Sequence, residues 1–155
     1  MGLRRSVATS ASSKLAPKVA SGYVRTVLDR AIDGIGPLRS AAASADAKLV
    51  DADGDVEKAI ASLMRLHTSL AGAQGFVTNL GGLATAAIAV PANVAGVTIV
   101  QCHLVAGIAH LRGYDLHDPR VRNAILACML GEDAVTTLVK RHRLPSSPMA
   151  LATSL

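Results

Sequence analysis

Apolar positions recur at helical spacing in separate stretches, divided by turn signals. Val24, Val27, Leu28, Ala31, Ile32 and Ile35 fall three or four residues apart, with Arg25, Asp29, Arg30 and Asp33 between them. This is the pattern of an amphipathic helix with one face to bury. The helical pattern is expected to start near Lys14, with Pro17 tolerable in a first turn, and to be ended by Gly34, Gly36 and Pro37. Residues 1–13 read as a flexible polar arm. An Ala/Ser-rich connector is expected next, leading to Asp51-Ala52-Asp53-Gly54-Asp55. A calcium loop counted from Asp51 would need Gly sixth and Glu twelfth, where Val56 and Ser62 stand, so the acidic run fails as an EF-hand. Asp55 instead reads as the N-cap of a helix that starts at Val56, with Glu57 favourable in its first turn.

That helix carries Val56, Ile60, Leu63, His67 and Leu70 on one face and runs into a segment without charge. From Leu66 to Leu111 there are 46 residues with no Asp, Glu, Lys or Arg. As one helix they would reach about 69 Å, more than twice a bilayer core, and Gly81, Gly82 and Pro91 lie where the chain could bend. A helical hairpin is therefore expected, with Arg65 and Arg112 at its open end, as the positive-inside rule favours for a cytoplasmic face. The eight Val, Ile or Leu of residues 92–111 favour insertion by about 4 kcal/mol, which Asn93, Gln101, His103 and His110 offset. The expectation is a buried central hairpin wrapped by amphipathic helices, with close approach at Gly82, Ala86, Ala92 and Gly96.

Beyond the hairpin, Asp118 as N-cap and Pro119 at the first helical position start a helix through Leu130, with Gly131 as its stop. Glu132 and Asp133 open a last helix whose end holds Lys140, Arg141 and Arg143, complementing the helix dipole. Pro145 and Pro148 are expected to terminate it, leaving 145–155 as a flexible tail. The fold class expected is all-α, a single domain over 14–144: a helical bundle around a central uncharged Gly/Ala-rich hairpin.

Composition narrows the function classes. Half of the 155 residues are apolar, 17% are charged, 28 are Ala and only three are aromatic, so the core is made of small and aliphatic side chains and disorder is excluded. The net charge of +5 is spread along both ends of the chain, and no aromatic residue flanks the basic run Lys140, Arg141, Arg143, which argues against nucleic-acid binding. Cys102 and Cys128 lie in apolar helical patterns and read as free thiols in a reducing compartment. The N-terminal stretch is too polar for a secretory signal, and Met1 to Ser6 matches only the short myristoylation pattern.

Several short motifs recur in a distinctive order around the uncharged segment: Gly54 to Ile60, Gly75-Phe76-Val77-Thr78-Asn79-Leu80-Gly81-Gly82-Leu83, Pro91-Ala92-Asn93, Gly113-Tyr114-Asp115-Leu116, and Asp118-Pro119-Arg120-Val121-Arg122. In these the stretch from Gly54 to Asp133 resembles the bacterial EcsC family. The resemblance implies an all-helical protein without an established enzymatic activity, linked by context to ABC transport and secretion. Asn93 departs from it, because members often carry an acidic residue there, and members usually continue with further helices beyond the point reached by Leu155.

Five histidines raise metal or acid–base chemistry. His103 and His110 share a face two turns apart, about 10.5 Å along a helix axis, too far for one ion to bridge. Only a third element bringing His67 or Cys128 alongside could build a site, and Cys102 points away from its neighbour His103. The glycines lack the Lys-Ser/Thr of a phosphate loop, so they read as packing and bend positions. Asp115 and Arg122 flank the turn after the hairpin and are expected to fix it by an ion pair or a backbone cap. No cofactor, metal or catalytic residue is expected. The reading that follows is a non-enzymatic EcsC-like protein, cytoplasmic and peripheral to or embedded in the inner membrane, meeting a membrane surface or a membrane-protein partner as a transport accessory. The alternatives are a soluble helical module that oligomerises through Ala/Gly faces and a His-dependent hydrolase around His67, His103 and His110.

Overall fold

Cap residues and small side chains decide where the helices start and how closely they approach. The computed structural model describes residues 22–79 and 86–153, with side chains described outside 74–94, and among these residues there are seven helices and no strand. They are α1 (22–33), α2 (Ala41–Asp51), α3 (Val56–Asn79), α4 (Ala86–Leu111), α5 (Pro119–Cys128), α6 (Glu132–Lys140) and α7 (Pro148–Thr153). The expected all-α class is what the structure shows. Asp55 caps α3 by accepting from the Lys58 amide at 3.0 Å, and Asp118 caps α5 by accepting from the Arg120 amide at 2.8 Å, with Pro119 at the first position. The amide and ammonium of Lys58 hold the Asp55 carboxyl below its ordinary value, as the guanidinium and amide of Arg120 do for Asp118. Both caps therefore stay ionised further into acid than free carboxylates would.

Two apolar clusters share α2 and α4 as their common wall. On one side Val27, Leu28, Ala31 and Ile32 of α1 meet Ala41, Cys102 and Ala106, together with Leu116, Val121 and Ile125. On the other, Ala59, Ile60 and Leu63 of α3 meet Ala45 and Leu111. The fully buried Leu28 and Leu63 each contribute roughly 1.5–3 kcal/mol by leaving water. Helices α3 and α4 run antiparallel: Glu57 pairs with Arg112 at 2.7 Å, Leu63 lies against Gly107, and His67 meets His103. Gly107 is the closest approach, because a Cβ there would come within 2.7 Å of Leu63 Cδ2 and 3.8 Å of the Ala45 Cβ. A larger residue would push α2, α3 and α4 apart.

The turn between α1 and α2 is equally constrained. Ile35 and Leu38 exchange backbone hydrogen bonds at 2.9 and 3.0 Å around Gly36 and Pro37. Gly34 precedes them at φ +91°, and a Cβ on it would strike the Leu38 carbonyl at 2.5 Å and the Ser40 nitrogen at 2.9 Å. Only glycine fits both the dihedral and the space.

Three expectations change. Residues 41–51, read as a connector, are helix α2: Ser40 caps it by accepting from the Ala43 amide at 3.2 Å, and its buried face is alanine, with Ala41 and Ala45 fully buried. The tail beyond Pro145 contains α7, since Pro148 occupies its first position behind Ser147, whose hydroxyl accepts from the Ala150 amide at 3.4 Å and whose carbonyl accepts from Leu151. The proline expected to end a helix starts one. The wrapping of the uncharged pair is partial: Ala59, Ile60, Leu63 and His67 of α3 are buried, but Thr68, Ser69, Leu70, Gly72 and Ala73 are exposed. The start of the first helix, the flexible arm, and Gly81 and Gly82 lie outside the described residues, as does the packing expected at Gly82, Ala86 and Ala92. Pro91 sits within α4, whose backbone is helical from Ala86 onward. Among the described residues no helix is long and apolar enough to cross a membrane.

Two glycines give opposite outcomes. Gly34→Ala should destabilise the fold by about 1–3 kcal/mol through the forced dihedral alone, with the backbone clash adding to that. Gly72→Ala, in open space on α3, should stabilise it by up to about 1 kcal/mol through helix propensity. Urea denaturation of the two variants reads both signs.

Candidate functional site

Two histidines that the sequence separates by 36 positions meet in the core. His67, four residues beyond Leu63 on α3, places Nδ1 2.8 Å from the Leu63 carbonyl oxygen and Nε2 2.7 Å from Nδ1 of His103. His103 in turn places Nε2 2.9 Å from the carbonyl oxygen of Arg39, in the α1–α2 turn. The result is a continuous chain, carbonyl–histidine–histidine–carbonyl, that ties α3, α4 and the turn together. Both rings are closed to solvent, His67 at 2% and His103 at 1% exposure. Burial, and secondarily the facing His67 ring, push His103 below its ordinary 6.5 despite the Arg39 carbonyl. The neighbouring Cys102 thiol is buried as well and is pushed up by that burial, so it remains a neutral packing group.

Two turns further along α4, His110 faces another way. Its Nε2 lies 2.7 Å from Oδ1 of Asp46 on α2, in a half-exposed pair. His110 lines an open cleft of about 470 Å³ together with Ile32, Asp33, Ser40, Gly113, Tyr114, Asp115 and His117. The Gly113–Leu116 motif thus forms one wall of this cleft. Asp115 fixes the turn by accepting from the His117 amide at 2.9 Å, the backbone cap among the two expected roles. Arg122 pairs instead with Asp29 of α1, and Tyr114 donates its hydroxyl to the Met149 sulfur at 3.2 Å, holding α7 against the turn. Pro119 starts α5 as expected.

No protein family, no curated protein and no solved structure matches the chain. The site is therefore read from its own chemistry. Of the three histidines grouped by sequence, the structure brings His67 and His103 together and leaves His110 with Asp46. Gly75 and Phe76 fall on α3, and Pro91 and Asn93 on α4, in the part whose side chains lie outside the description. Among the described residues no group of three or more His, Cys, Asp or Glu could hold a metal ion. Ser40 in the cleft uses its oxygen as the α2 cap. Sequence reasoning missed three contributors. The Arg39 carbonyl is invisible to residue typing, Asp46 lay in the supposed connector, and Met149 in the supposed tail.

Removing each histidine's partner separates core from surface. His103→Ala leaves the Arg39 carbonyl and His67 Nε2 without partners in a closed cavity, and should cost about 2–5 kcal/mol. Asp46→Ala opens an exposed pair and should cost less than about 1 kcal/mol. Thermal denaturation followed by circular dichroism distinguishes them.

Proposed function

We propose that this chain is a non-enzymatic, EcsC-like helical module that works at the cytoplasmic face of a membrane, with the uncharged α3/α4 pair as its contact element. The observation that carries this reading is the change in exposure along α3. Past His67, Thr68, Ser69, Leu70, Gly72 and Ala73 are exposed and Ala71 is half-buried, while the sequence stays free of charge to Leu111. Beyond His67, Leu70 at 36% exposure carries a large apolar side chain, and Met64 at 50% and Leu66 at 40% add two on the outer face of the preceding turn. Arg65 stands just before this stretch and Arg112 lower down, against Glu57, as cations that a cytoplasmic headgroup layer would favour. An apolar helical surface with cations at its root suits a lipid interface or a membrane-embedded partner, and a transport accessory is the role that the family resemblance adds.

Co-flotation of the full chain with anionic vesicles at low and high salt tests this. Flotation is expected to survive high salt, and Leu66→Glu/Leu70→Glu should reduce it at least about tenfold, given the apolar burial lost. Absence of flotation together with concentration-dependent self-association by sizing chromatography would favour the oligomerisation module instead.

A further inference from the structure

The buried histidine chain contains one hydrogen bond more than two neutral rings can supply. Its outer contacts end on carbonyl oxygens, which only accept, so His67 Nδ1–H donates to Leu63 and His103 Nε2–H donates to Arg39. A neutral imidazole carries a single N–H. With both spent outward, His67 Nε2 and His103 Nδ1 would face each other as two lone pairs at 2.7 Å. The ring centroids are 4.9 Å apart and the planes tilted by 30°, so the rings meet edge to edge, where N–H bonds and lone pairs lie. Changing the tautomer of either ring moves the missing hydrogen to a carbonyl contact, and changing both sets two N–H groups against each other.

We infer that His67 and His103 share a third proton across the Nε2···Nδ1 contact, and that this single buried cation is a pH-operated clamp at the base of the α3/α4 pair. No carboxylate neutralises it. All eleven Asp and Glu lie within the described residues, and none bonds either ring. Around the pair, Asp46 is taken by His110 and Asp29 by Arg122, Asp33 and Arg65 are exposed, and Arg39, also exposed, meets His103 through its backbone carbonyl. Cys102 is a neutral thiol, and α5 presents apolar Val121 and Ile125. The charge is therefore resisted by burial, and a second proton on the pair would set two cations in contact.

The sign follows. Proton uptake falls on the acid side of the ordinary histidine value of 6.5, in the direction His103 is pushed. Below the midpoint all three bonds close and clamp α3, α4 and the α1–α2 turn. Above it one contact loses its hydrogen and the clamp loosens. Unfolded rings take up two protons where the native pair takes one, so the pair's contribution to overall stability is complete above 6.5 and declines as pH falls. The inference rests on the geometry of the pair and holds whatever the α3/α4 pair contacts.

The test is nuclear magnetic resonance of the full chain with ¹⁵N-labelled histidine, titrated between about pH 8 and 5. A nitrogen–nitrogen coupling between His67 Nε2 and His103 Nδ1 is expected to appear on the acid side, with the pair gaining one proton at a midpoint below 6.5. In His67→Gln, an amide N–H can donate to His103 Nδ1 without a third proton, so the coupled step should vanish. Inner nitrogens that stay bare throughout the folded range, uptake of one proton by each ring, or an unchanged step in His67→Gln would overturn the inference. The wild-type titration decides the matter even where the variant does not fold.

Discussion

The fold turns on one chain of hydrogen bonds, from the Leu63 carbonyl through His67 and His103 to the Arg39 carbonyl. Polar groups closed off from water in an apolar core are costly unless each finds a partner, and here His67 finds its partners on its own helix and on α4, and His103 on α3 and in the α1–α2 turn. The requirement is geometric as well as chemical. The α1–α2 turn must aim a carbonyl at His103, which the glycine at 34 permits, and α3 must lie close enough to α4 for two rings to touch, which the glycine at 107 permits. A specific polar contact thereby joins α3, α4 and the α1–α2 turn at one point of the core.

The same contact divides the uncharged segment in two. Below it, α3 packs one face against α2 and α4 and leaves Met64, Arg65 and Leu66 exposed. Beyond it, Thr68, Ser69, Leu70, Gly72 and Ala73 are exposed, although the sequence there carries no charge. Composition alone gives no reason for such a division. Among the described residues, the buried apolar clusters take in α3 only as far as Leu63. An uncharged helix anchored at one end and exposed past the anchor is the physical basis of the membrane-facing reading.

Much of the fold was legible where local chemistry decides it. The caps at Asp55 and Asp118, the break at Gly34 to Pro37 and the start of α6 at Glu132 all depend on residues close in sequence. Helix α2 was not legible because its buried face is Ala41 and Ala45, which carry no strong hydrophobic signal yet allow tight packing. Helix α7 was misread because a proline marks a first turn as readily as a stop, and Ser147 in front of it was the deciding cue. The histidine pairing was illegible for a different reason. It depends on the relative register of α3 and α4, and one end of the chain of bonds is a backbone carbonyl that no residue pattern encodes.

Amide hydrogen exchange along α3, measured with and without lipid vesicles, addresses the central claim most directly. The expected result is slow exchange at 59–67 in both conditions, with 68–73 slowing only when vesicles are present. Equal protection of 68–73 in the absence of lipid, or no change on adding it, would contradict an anchored helix that leaves the core to meet a membrane.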